Sequence, residues 1–188
     1  MNKVAQMIIV LTSIGIISGG LLAIVSGWAD PLIAANQKAE TEAAIFRVQP
    51  DGKKYQQVEN SGFELYKVMN ENNQTTGYAL VYEGNGFSGK IRLIAGLSDD
   101  LNNISAIEIL EQVETPGLGT KITEEPFTSQ FKNLETNPKI DWVKGEKPDK
   151  SNEIQTITGA TISSKAVVAI LNDGISRLKK LRDNGGLK

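Results

Sequence analysis

Between Lys3 and Asp30 the chain runs for 26 residues without a charge, Val4 to Ala29, rich in Ile, Leu, Val, Ala and Gly. At about 1.5 Å of rise per residue, a helix of this length exceeds the roughly 30 Å hydrocarbon core of a bilayer. Trp28 falls where an interfacial anchor sits. A cleaved signal peptide is the competing reading. Its apolar region is shorter, roughly 7–15 residues, and Gly27-Trp28-Ala29 makes a poor cleavage site. The pattern therefore predicts an uncleaved anchor over residues 1–30 and a soluble domain over 31–188. The free amine and Lys3 flank one side. Asp30, Glu40 and Glu42, against Lys38 and Arg47, flank the other. The positive-inside rule then predicts a single-pass protein of the plasma (inner) membrane, with a cytoplasmic N-terminus and an extracytoplasmic domain. Gly15-x-x-x-Gly19 would let a partner helix approach closely, although glycine is common in spans.

What this domain can do is bounded by two missing residue types. The chain of 188 residues has no cysteine and no histidine. A Ser-His-Asp triad, a cysteine nucleophile and an ordinary zinc site are excluded, and iron–sulfur or haem ligation is not expected. No metal site and no catalytic residue are assigned. Redox chemistry here would need an organic cofactor held by other side chains. Residues 29–188 carry 19 basic and 22 acidic residues, net -3, which argues against a nucleic-acid partner.

The pattern predicts an α+β fold, a mostly antiparallel sheet flanked by helices. Residues 32–46 repeat apolar positions at helical spacing, with Pro31 at the first turn or at a kink. Residues 63–69 and 77–83 read as a hairpin, 90–97 as a third strand and 104–113 as a fourth. Residues 124–134 read as a short helix, with Phe127, Phe131 and Leu134 on one face. Ile140-Asp141-Trp142-Val143 reads as a short strand within a polar stretch. The last 27 residues form a helix whose stripe is Val167, Leu171, Ile175, Leu178 and Leu181.

Three glycine-bearing loops sit at the ends of these elements: residues 84–89 (Gly-Asn-Gly-Phe-Ser-Gly), 114–120 (Glu-Thr-Pro-Gly-Leu-Gly-Thr) and 156–164, which opens the last helix. Singly, each has a plain reading as a turn or a cap. The third has a sharper one. A helix N-terminus leaves amides unpaired and carries partial positive charge, so it suits a phosphate. The hydroxyls of Thr161, Ser163 and Ser164 add donors, Gly159 and Ala160 leave the approach open, and Lys165 can add charge. Pro116 and Leu118 offer an apolar wedge suited to a flat heterocycle.

Thr158-Gly159-Ala160-Thr161 resembles the S/T-G-A-T motif of the covalent FMN-binding domain family, and Glu114-Thr115-Pro116-Gly117-Leu118-Gly119 resembles its E-T-P-G-L-G motif. Gly84 to Ile91 is similar to the family's glycine-rich loop. The order of anchor and motifs resembles the G subunit of the Rnf complex and its relative, the C subunit of the sodium-pumping NADH:quinone reductase. The resemblance implies FMN joined by its phosphate to the Thr161 hydroxyl by a flavin transferase, with Thr158, Gly159, Ala160, Ser163, Ser164 and the loop from Glu114 to Gly119 around the cofactor. It implies an electron-carrying subunit rather than a stand-alone enzyme. Its partners would be the other membrane subunits of a complex coupling ferredoxin and NAD oxidoreduction to Na⁺ or H⁺ movement. Two alternatives stay open: a flavin-binding sensor holding FMN non-covalently, and the equivalent quinone-reductase subunit. The family's pattern places Asp three residues before the motif, where this chain has Gln155.

Overall fold

A computed structural model of the chain describes every residue except Met1, Asn60 and Lys188. It divides into two compact units, the first ending at Glu40 and the second beginning at Thr41. The first unit is helical, part of α1 (Lys3–Val48). An 18-residue window of this helix has a mean hydropathy of 2.5, and none of that window is buried against protein. Leu22, Ile24 and Trp28 are among the exposed apolar side chains. The helix is thus long and apolar enough to cross a membrane. Pro31 lies inside it rather than starting a second helix. Proline forfeits one hydrogen bond to the fourth preceding residue, here Gly27.

In the second unit six strands follow one another in sequence order, every neighbouring pair antiparallel: β1 (Lys54–Gln57), β2 (Leu65–Met69), β3 (Thr75–Asn85), β4 (Lys90–Ser98), β5 (Asn103–Gln112) and β6 (Leu134–Glu135). Strand side chains alternate between faces, and both faces of the central strands are buried. Leu80, Ile91, Leu93 and Leu97 join one core with Ile122, Phe127 and Phe131 and with the stripe Val167, Leu171, Ile175 and Leu178 of α3 (Thr161–Asp183). Ala79, Val81 and Ile94 point the other way, to Ala44, Ile45 and Val48 at the end of α1. This double burial explains why residues 93–97 form one uncharged apolar run. Leu181, the last position of the expected α3 stripe, is half-buried and packs against the first core. Arg47 holds Glu108 of β5 through two 2.7 Å bonds, and the Gln49 amide donates to the Tyr78 and Leu97 carbonyls.

One expected element differs. Residues 124–134 are not one helix. The single turn α2 (Glu125–Thr128) lies between 3₁₀ turns at Gly119–Thr123 and Ser129–Phe131. The helical spacing of Phe127 and Phe131 is real, for both are buried with ring centroids 5.3 Å apart. A one-turn helix beginning beside Pro126 has too few hydrogen bonds to propagate, and burial of the two rings fixes the segment instead. The Asp141–Val143 strand, β7, does form, and its partner is β8 (Glu153–Gln155), paired in parallel.

Candidate functional site

The three glycine-bearing loops meet at a cleft of about 560 Å³, within the usual range of small-molecule sites. Phe87 comes from the β3–β4 loop. Thr115, Leu118 and Gly119 come from the loop after β5, and Thr158 to Ser163 from the loop opening α3. Lys144, Gly145 and Thr156 complete the wall. Phe87, Leu118 and Ile162 give it exposed apolar surface.

The side chain that joins the loops does not face the cleft. Glu114 is 3% exposed. Its Oε1 accepts from the backbone N–H groups of Phe87 and Ser88 at 2.8 and 3.1 Å, and its Oε2 accepts from the Ser163 hydroxyl at 2.6 Å. One buried carboxylate thus ties all three loops together, and charge-assisted bonds of this kind are about twice as strong as neutral ones. The loops close this tightly only around glycine. A Cβ on Gly86 would lie 2.2 Å from Glu114 Oε1. One on Gly119 would lie 2.8 Å from Glu114 Oε2 and 2.9 Å from Ser163 Oγ.

The rest of the 114–120 loop is fixed by its own bonds. Thr115 accepts at its carbonyl from the N–H groups of Leu118 and Thr120, and the Gly117 N–H donates to the Thr120 hydroxyl at 3.0 Å. Gly117 has φ +73°, in the left-handed region where glycine is favoured. Pro116 and Gly117 are exposed and stand outside the cleft wall. Leu118 reaches across the cleft, so that a Cβ on Gly159 (φ +88°) would sit 3.3 Å from its Cδ2.

In the loop opening α3, Ser164 is also a structural tie. It is fully buried, its hydroxyl donates to the Ala160 carbonyl and it accepts from the Ile157 N–H, both at 3.0 Å. Thr161 differs. It is the first residue of α3, half-buried and facing the cleft, and its hydroxyl has no hydrogen-bond partner among the described residues. No side chain caps this helix, so its first amides remain available to an anion. Thr156 is 5% exposed and borders the same cleft, with a hydroxyl that has no partner among the described residues. A buried hydroxyl left unpaired costs roughly 1–3 kcal/mol, and native proteins keep few of them. An uncommitted hydroxyl, an orphaned hydroxyl and an uncapped helix start form a donor set that suits a phosphate group.

Lys165 does not face that site, because its Nζ lies 3.6 Å over the Trp142 ring. The cation in the cleft wall is Lys144, which no motif marks. It follows β7 in sequence and reaches the cleft only through the parallel β7–β8 pair. Phe87 lies in the first glycine-bearing loop, and nothing in the sequence distinguishes it from a turn residue.

Comparison with known proteins points in one direction. Residues 86–176 match the FMN-binding domain family. The G subunit of the ion-translocating oxidoreductase complex of Methanosarcina acetivorans is 26% identical over 182 residues, covering 93% of this chain and 94% of that protein. The G subunit of the proton-translocating ferredoxin:NAD(+) oxidoreductase complex of Clostridium ljungdahlii is 32% identical over 171 residues, covering 89% and 88%. Among solved structures, the C subunit of the Na(+)-translocating NADH-quinone reductase of Parabacteroides distasonis superposes with a TM-score of 0.62 at 21% identity, covering 78% of this chain and 94% of that one.

Proposed function

The chain belongs to the family of FMN-binding-domain proteins that includes the G subunits of ion-translocating oxidoreductase complexes, and on that premise we propose that it is an electron-carrying membrane subunit with FMN esterified to Thr161. The observation that carries this reading is the uncommitted Thr161 hydroxyl at the uncapped start of α3, inside the cleft where all three loops converge.

Each residue then has a role. The Thr161 hydroxyl would lose its proton, and its oxygen would take the FMN phosphorus from a flavin dinucleotide brought by a flavin transferase, as the pyrophosphate bond breaks and the nucleoside monophosphate leaves. The α3 amides and the Thr156 hydroxyl would donate to the phosphate oxygens, and Lys144 would offset their charge. Thr158, Gly159 and Ala160 keep the approach to the phosphate low and open, and the Ser163 hydroxyl keeps the helix start in register through Glu114. Leu118 and Phe87 supply apolar surface for the flat ring. Bound FMN supplies the one- and two-electron chemistry that this chain's own side chains lack. The anchor lies within residues 1–30, with the N-terminus cytoplasmic and the domain outside. The other subunits of an Rnf-type complex are the partners that deliver and accept electrons.

Trypsin cuts after Lys150 and Lys165 and so releases Ser151–Lys165 as one peptide. After coexpression with a flavin transferase, this peptide should carry the mass of an esterified FMN on Thr161, and the protein should fluoresce in a denaturing gel. A dark gel, with free FMN released on denaturation, would show that the flavin is held without a covalent bond. Orientation is testable cleanly because the chain has no cysteine of its own. In intact cells, a cysteine placed at Ser88 should react with a membrane-impermeant maleimide.

A further inference from the structure

Behind the loop that opens α3 lies a second, smaller cavity of about 260 Å³, lined by Lys121, Glu124, Phe127, Gln130 and the segment from Gln155 to Thr158. The two cavities share Thr156 and Thr158, so this segment is a thin partition with open space on both sides. Few bonds hold it. The Thr156 N–H donates to the Val143 carbonyl at 2.9 Å, and the Ile157 N–H donates to Ser164. Beside the second cavity, the tie is Gln130. Its Oε1 accepts from the Gln155 N–H at 2.7 Å, and its Nε2 donates to the Gln155 carbonyl at 3.2 Å and to the Pro126 carbonyl at 3.4 Å. A side-chain amide here copies the two-bond exchange by which one strand residue holds another. It can do so because the 3₁₀ turn carrying it is seated by the buried Phe131 ring.

We infer that Gln130 is a positioning residue for the modification of Thr161, acting through the main chain of Gln155. Glu114 steadies the helix start from one side and Gln130 steadies the strand end from the other. Between them the Thr156–Ala160 segment presents the Thr161 hydroxyl in one place. The side chain at position 155 makes no hydrogen bond of its own among the described residues, so a glutamine there serves as well as an acid. The inference rests on attachment at Thr161, but its structural half is measured independently.

The test compares the full-length protein with Gln130→Met, which keeps the bulk and loses all three bonds, and with Gln155→Ala. Amide hydrogen exchange in residues 155–161 should rise about tenfold in Gln130→Met, the size expected for losing hydrogen bonds of ordinary strength. The initial rate of flavin transfer to Thr161 should fall by a similar factor, while the melting temperature moves by only a few degrees. Gln155→Ala should match wild type in both exchange and transfer. Unchanged exchange or an unchanged transfer rate in Gln130→Met, or a slow Gln155→Ala, overturns the inference. If wild type itself accepts no flavin, the attachment reading fails, and the exchange comparison still decides whether Gln130 holds the loop.

Discussion

The loop from Glu114 to Thr120 and the loop from Thr156 to Thr161 border the same cleft and use their polar atoms in opposite ways. In the first, the carboxylate and the threonine hydroxyl are committed to protein partners, and only Thr115, Leu118 and Gly119 reach the wall. In the second, the hydroxyls of Thr156 and Thr161 are left without partners among the described residues. A sequence motif can therefore mark two different things. The glutamate-headed loop marks a scaffold that must be tight. The threonine-ended loop marks donors that must be free.

The largest effect that would break this contrast is loss of the free donor itself. Thr161→Ala should abolish covalent flavin, read as in-gel fluorescence, with an unchanged circular dichroism spectrum. Retained fluorescence would move the attachment site elsewhere. Next comes the scaffold. Glu114→Ala removes three bonds and leaves buried partners unpaired, and should destabilise the domain by about 3 kcal/mol, roughly 10 °C in melting temperature. A shift near zero would mean that the three loops are held by something else. Gly119→Ala places a methyl group within 2.9 Å of Ser163 Oγ and should cost about 2 kcal/mol by overpacking, measured by urea unfolding. Thr156→Val has the opposite sign. Removing an orphaned hydroxyl should stabilise the flavin-free domain by about 1 kcal/mol while slowing flavin attachment. A destabilised variant would show that Thr156 already has a partner.

The smallest effect lies away from the cleft and serves as a control. The Tyr82 hydroxyl donates to Asp173 at 2.6 Å and holds that carboxyl below its usual range, against the opposing effect of burial and with further help from Arg177. Since the folded pKa is depressed, the stability it adds is present above the unfolded value of about 4 and is lost as pH falls through the folded one. Asp173→Asn should give a slightly flatter loss of stability below about pH 4, with flavin attachment unchanged.

Much of the frame was legible in the sequence because it follows period and punctuation. Strands β2 to β5 alternate or run apolar between turn residues, and α3 carries a clean stripe from Val167 to Leu178. The family resemblance alone implied that the 114–119 and 158–164 loops share a site, and it did not bring the 84–89 loop to them. What was hidden depends on partners rather than patterns. β1 is Lys-Tyr-Gln-Gln and β8 is Glu-Ile-Gln, both too short and too polar to show a period, and each exists because a neighbouring strand offers hydrogen bonds. Lys144 reaches the cleft through that hidden pair. Glu114 reads as a cofactor ligand in the motif and acts as an internal tie in the fold, a distinction that only burial reveals. Gln130 had no signal at all, since its amide pairs with main chain 25 residues away.

The strict order of the sheet has a consequence for how the molecule comes into being. Each strand from β1 to β5 pairs with its neighbour in sequence, so the meander is built from local contacts of the kind that form early and quickly. The cleft is not. It needs Ser163 to reach Glu114 across 49 residues, and Ser163 arrives only with α3, after every strand of the sheet has been made. A nascent chain therefore has its sheet before it has its acceptor site. With attachment at Thr161, a modifying enzyme that recognises the assembled cleft would act as an inspector of finished molecules, and a chain stalled or cut short before α3 docks would receive no flavin.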